Sequence, residues 1–136
     1  MLRRLLLSKH IRDKVDSTVS YNQYTPARLN ICIPLLNEEL LVQNLLDIFF
    51  KKADLEKNLF NLILVIRSTG KDNTTKIARD YKTAHKLSNL IIADENALFD
   101  NSCIGQARAI GFYIALKINP DYDKTYLVSC DGDLVD

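Results

Sequence analysis

The chain has 136 residues, 47% of them hydrophobic and 26% charged, enough for one domain with a real core and not the composition of a disordered chain. The net charge of +1 is unevenly placed: residues 1–30 carry six Lys/Arg against two Asp, so the remainder is mildly acidic, which argues against a general nucleic-acid binder. Three cysteines (Cys32, Cys103, Cys130) and two histidines (His10, His85), in no paired spacing, argue against a zinc site.

Residues 1–27 stand apart as a basic extension or helix. Met1 to Arg12 fits one amphipathic basic helix, docked on the domain or reaching an anionic membrane surface through residues 1–14. No apolar run approaches the roughly 20 residues of a transmembrane helix, and Leu5 to Leu7 is too short for a secretory core. Cys32 and Cys130 fall in expected strands and read as small buried hydrophobes of a reducing compartment. The expected location is cytoplasmic, with the membrane surface as an extension of it.

Regular structure begins at Leu29. Leu29 to Leu35 reads as a strand whose Pro34, lacking a ladder donor, marks its carboxyl end. Asn37 is placed to cap a helix, with Glu38 and Glu39 in its first turn, Leu41, Leu45, Ile48 and Phe49 at helical spacing, and Lys51-Lys52 closing it. Asn61 to Ile66 is a second strand, and a Gly/Ser/Thr/Asn-rich turn from Arg67 to Thr74 leads to a helix with Ile77, Ala78 and Tyr81 on one face. Leu90 to Ala93 is a short third strand. A helix over Ile104 to Ile118 turns Ala107, Ile110, Gly111, Ile114, Ala115 and Ile118 inward, and Pro120 prevents its continuation. Thr125 to Cys130 then reads as a buried parallel strand ending in Asp131-Gly132-Asp133.

Strands alternating with helices imply an α/β domain over residues 28–136, with a mainly parallel sheet of about four strands and helices on both faces. Ligands of such sheets gather outside the carboxyl ends of the strands, where Pro34 to Glu38, Arg67 to Gly70, Asp94-Glu95 and Asp131 to Asp133 would converge. No GxGxxG follows the first strand and no GxxxxGK[ST] occurs, so the dinucleotide and P-loop versions lose support. In an extended chain Asp131 and Asp133 face one side roughly 7 Å apart. Such a pair suits Mn²⁺ or Mg²⁺. The alternative is a polar loop after a strand.

Four motifs in order add a resemblance. Ile33-Pro-Leu-Leu-Asn-Glu-Glu39 resembles the IPxYNEE opening of family 2 glycosyltransferases of GT-A fold, Asp72 to Ala78 their TDNTxxIA segment, Gly105 to Gly111 their GxARNxG helix, and Asp131-Gly-Asp133 their DxD site. The resemblance spans residues 29–135 and implies a Rossmann-like, nucleotide-sugar-binding GT-A half-domain. It implies Pro34, Leu36, Asn37 and Glu38 beside the nucleoside, Arg108 near the diphosphate, Asp131 near ribose or sugar, and Asp133 with Asp131 on the metal. Apart from the resemblance, Arg108 also reads as a solvated helix residue, and Glu38 as a carboxylate stabilising a helix dipole.

Two departures mark this chain. Arg67-Ser68 replaces the family's acidic pair after the second strand, and Leu36 its tyrosine, so Ser68 or Thr69 is left to hydrogen-bond a base. The chain stops three residues after the DxD, whereas the family's acceptor site and general base lie further on; no catalytic base is therefore assigned within it. The expected function is metal-dependent transfer of a sugar from a nucleotide-diphosphate sugar to an unknown acceptor. The alternative is a truncated, non-catalytic nucleotide-sugar-binding relative lacking the acceptor half. An exposed fourth-strand edge would favour self-association.

Overall fold

The computed structural model describes residues 7–52, 59–94 and 104–132. The elements run α1 (Lys9–Thr18), β1 (Leu29–Leu36), α2 (Val42–Asp47), β2 (Phe60–Arg67), α3 (Thr74–His85), β3 (Leu90–Asp94), α4 (Ile104–Ile118) and β4 (Tyr126–Ser129). All the strand pairs are parallel, in the order β3-β2-β1-β4. The chain therefore starts in the middle of the sheet, builds outward through β2 and β3, and returns by α4 to place β4 on the free side of β1. That reversal puts a topological switch point between β1 and β4.

Each face of the sheet is covered because successive strand residues point to opposite sides. Cys32, Ile63, Val65, Ile91 and Ala93 meet α4 through Ala107, Ile110, Ile114 and Ile118, with Val15 and Val19 joining from the N-terminal segment. Ile31, Ile33, Leu35, Leu62, Leu64, Ile66 and Leu90 meet Val42, Leu45 and Leu46 of α2 and Ala78 and Tyr81 of α3. β2, flanked on both edges, is buried at all but its last residue, as a central parallel strand covered on two faces must be. The doubly covered α/β sheet expected from the alternation of elements is the observed architecture.

Two local expectations are corrected. Asn37 does not cap a helix: it sits at φ 51°, and α2 begins only at Val42 after a turn, with Leu41 at its cap position. Glu38 and Glu39 thus lie in the loop rather than in a first helical turn, and α2 runs on into a π-helical turn over Ile48–Lys52. β4 is parallel as expected but is not buried. Among the described residues it pairs only with β1, and its register with Leu29 and Ile31 sends Tyr126 and Val128 to the α2/α3 side, where they remain 58% and 38% exposed. On the other side Leu127 packs against the α4 layer.

The N-terminal segment is docked. α1 is capped by Ser8, whose Oγ accepts from the Ile11 N–H, and its stripe of Leu7, Ile11 and Val15 lies against the α4 layer. Asp16 fixes the attachment by accepting from the hydroxyls of Tyr113 in α4 (2.9 Å) and of Tyr21 (2.7 Å). Residues 1–6, part of the expected basic helix, lie outside the described residues. No described helix is long and apolar enough to cross a membrane.

At the amino ends of the strands, buried asparagines do the joining. Asn119 accepts from the Ala27 N–H at 2.8 Å and donates to Asn30 Oδ1 at 3.0 Å, while Asn30 donates to the Ala27 carbonyl and Asn61 to that of Thr25. Buried amides of this kind are tolerated because their hydrogen-bonding capacity is met inside the protein.

Candidate functional site

The loops leaving β1, β2 and β4 share one rim of the sheet. The β1 and β2 loops are zipped together. Asn37 Nδ2 donates to Thr69 Oγ1 at 2.6 Å, the Thr69 N–H returns a bond to Asn37 Oδ1 at 2.8 Å, and the Asn37 N–H reaches the Arg67 carbonyl. The Glu38 N–H donates to Thr74 Oγ1, which itself donates to Asp72 at 2.6 Å, and Glu39 accepts from the Asn73 N–H. Asp72 also accepts from the Thr74 N–H at 3.0 Å, giving α3 the side-chain cap that Asn73 does not supply. Burial pushes the Asp72 carboxyl up, but hydrogen bonds from Thr74, Ser68 and Glu39 outweigh it and hold the group below its ordinary value.

Arg108, in the second turn of α4, donates from Nη2 to Asp131 Oδ1 at 2.9 Å, just beyond the end of β4. The Nε of Arg108 is buried and has no hydrogen-bond partner among the described residues, whereas the side chain as a whole is 39% exposed and that of Asp131 67%. Gly132 follows against β1: a Cβ built there would run into the Leu35 side chain and stand 3.6 Å from the Pro34 carbonyl. The tip of β4 is thereby pressed onto the end of β1, at the switch point.

Of the residues expected in the site, Pro34, Leu36, Asn37, Glu38, Ser68, Arg108 and Asp131 all lie on this rim. Asn37 has both ends of its carboxamide engaged by Thr69, and Leu36 is exposed. Asp133 lies outside the described residues, as do Glu95 and Cys103. Among the described residues no group of three His, Cys, Asp or Glu could hold a metal ion. Asp131 offers the hard oxygen that Mg²⁺ or Mn²⁺ prefers, but as one ligand only. Neither described cysteine is an activated thiol: burial, with Cys130 adding to it, pushes Cys32 up to about 12, and burial with Asp131 raises Cys130.

The motif reading singled out Asp72 to Ala78 and Thr69 but missed that Thr69, Asp72 and Thr74 buttress the loop after β1. Their signal was the Asx/Thr-rich turn after β2, whose partners lie more than 30 residues away in Asn37 and Glu38. Beside them a concavity of about 420 Å³ is lined by Ser68, Asp72, Lys76, Arg79, Asp80 and Asp94, with Arg79 3.9 Å from Asp94. A larger concavity of about 680 Å³ lies at the other end of the sheet, between Arg28, Asn119, Asp121, Lys124 and Tyr126. Size favours the second, but parallel sheets gather ligands at the carboxyl ends, where the loops carry the charged pair. Comparison with family models, curated proteins and solved structures gave no match to the chain.

Proposed function

We propose that this chain binds a nucleotide-sugar donor in the crevice between the carboxyl ends of β1 and β4, as the donor-binding part of a metal-dependent glycosyltransferase resembling family 2. The observation that carries the reading is the Arg108–Asp131 pair at the topological switch, 2.9 Å apart, with Gly132 seating it on the end of β1. A nucleoside diphosphate leaving group gathers negative charge as its glycosidic bond breaks, and a guanidinium fixed beforehand lowers the cost of that charge. Asp131, together with Asp133, would hold Mn²⁺ or Mg²⁺, which when bound supplies further charge stabilisation to the diphosphate. Ser68 and the concavity beside it would face the base.

A second reading, binding without transfer, has one observation in its favour. Asp72 and Glu39 are each engaged by neighbours, so these two rim carboxylates are committed before any acceptor arrives.

Calorimetry with UDP-, GDP- and CDP-linked sugars, with and without Mn²⁺, tests the proposal. Metal-dependent heat with at least one donor is expected, lost in Asp133→Ala; no such heat with any donor overturns it. Donor hydrolysis by the purified chain, also lost in Asp133→Ala, would favour transfer chemistry over binding alone.

A further inference from the structure

We infer that Asp131 is a built-in competitor for Arg108: in the free protein its carboxylate occupies the guanidinium, and the phosphate oxygens of a diphosphate-bearing ligand displace it. The inference rests on the reading of the crevice as a diphosphate site and adds how that site is kept closed when empty of ligand.

The pair has the marks of an exchangeable contact. One hydrogen bond joins it, from Nη2 to Oδ1, and both side chains are substantially exposed, 39% for Arg108 and 67% for Asp131. Exposed single-contact ion pairs contribute little to stability because water and salt screen them. The fold does not depend on this one: α4 is anchored by Ala107 and Ile110, and β4 by its ladder to β1 and by Leu127. Nε, by contrast, is buried without an acceptor among the described residues. A guanidinium gripped end-on by one carboxylate oxygen leaves its planar fork unused, whereas a phosphate can take two parallel N–H bonds. Gly132, next to Asp131, stands where a Cβ would run into the Leu35 side chain, so the chain at the tip of β4 lies close to the end of β1. The backbone therefore keeps a carboxylate within reach of Arg108, and an incoming anion must out-compete it.

The test is titration of the full chain with inorganic pyrophosphate, UDP and GDP in EDTA, by calorimetry and by following the Arg108 Nε–H signal in NMR. Asp131→Asn keeps the shape and removes the competing charge. It is expected to bind about fivefold tighter than wild type, the factor an exposed ion pair of ordinary strength can withhold. Arg108→Gln is expected to lose binding in both backgrounds, and the Nε–H signal should move only in proteins that retain Arg108. Equal gains with pyrophosphate and the nucleotides assign the contact to phosphate alone; a gain confined to the nucleotides assigns it to a nucleoside-bearing diphosphate. Unchanged or weaker binding by Asp131→Asn, with wild-type thermal unfolding, overturns the inference. If wild type still shows metal-dependent donor binding in that case, the donor-site reading survives without it. If neither protein binds any phosphate under any condition, both fall together.

Discussion

Asn37 and Thr69 hold each other at both ends, amide to hydroxyl at 2.6 Å and backbone N–H to carbonyl oxygen at 2.8 Å, and this exchange locks the loop after β1 to the loop after β2. It also explains why an asparagine tolerates φ 51° there: short polar side chains that bond locally offset the strain of the left-handed region. Asn37→Ala removes both bonds and leaves a residue poorly suited to that φ, so it is expected to cost about 2 kcal/mol in urea unfolding. Asn37→Gly loses the bonds but not the backbone freedom and should cost less. Equal losses would mean that the backbone conformation contributes nothing.

Asp72 links the same two loops to α3, and its effect should appear with pH. Its folded pKa lies below the ordinary 3.8, so its stabilisation is complete above that value and is lost as pH falls through the folded pKa. Asp72→Asn is therefore expected to flatten the acid limb of stability below about pH 4, leaving the curve above pH 5 parallel to wild type. Asp72→Ala removes the cap as well and should cost about 1 kcal/mol at neutral pH. An unchanged acid limb in Asp72→Asn would remove the carboxylate from this role.

Asp16 ties the first helix to the domain through two phenols. Burial, then the hydrogen bond and charge of Asp16, push Tyr113 up to about 12, and the same causes raise Tyr21 further. Because these folded values exceed the unfolded value of 10.0, the contribution is complete below pH 10 and is lost as pH rises through the folded pKa. Ultraviolet titration should find at least two tyrosines still protonated at about pH 11, and in Asp16→Ala they should ionise nearer the ordinary value. The same variant leaves the Tyr113 hydroxyl without its acceptor and should cost about 1–3 kcal/mol, with faster amide exchange across residues 9–18. Exchange unchanged in α1 would show that Leu7, Ile11 and Val15 alone hold it.

The parts of this molecule legible in its sequence are those set by periodicity. The helix over about Ile104 to Ile118 was readable because Ala107, Ile110, Ile114 and Ile118 repeat on one face and Pro120 forbids continuation. The strands were readable from unbroken apolar runs, since a central parallel strand is buried on both faces. β4 misled for the same reason: Tyr126, Leu127 and Val128 look buried, and only the strand order reveals an edge. Asn37 misled because asparagine serves equally as a helix cap and as a left-handed turn residue, and its partner Thr69 is distant in sequence. The buried amides of Asn30, Asn61 and Asn119 were invisible for a related reason: each is satisfied by a group from another element. At the strand ends, the place of Asp131 followed from topology, whereas Arg108 was expected there only through the resemblance, and their direct pairing was not foreseen.

Gly111 sets how closely α4 lies on the sheet, and through the helix it sets where Arg108 stands. A Cβ at this position would meet Cys32 Cβ at 3.0 Å and Sγ at 3.2 Å, closer than ordinary van der Waals contact, with Val65 at 3.5 Å behind them. Gly111→Ala would raise intrinsic helix propensity by about 1 kcal/mol. It would also overpack a fully buried contact, a penalty of about 1–3 kcal/mol that is expected to win. Since Arg108 is one turn earlier on the same rigid helix, the displacement should weaken its contact with Asp131 too. Cys32→Ala in the same chain removes the Sγ at 3.2 Å but keeps the Cβ at 3.0 Å, so the double variant should recover only the part of the loss that the sulfur causes, giving a favourable coupling between the two sites in a double-mutant cycle. Chemical denaturation of the four proteins provides the energies, and the Arg108 Nε–H signal reports whether the guanidinium returns to its wild-type place. Additive losses, with no recovery of that signal, would show that α4 is positioned by its other contacts and not by the space left at Gly111.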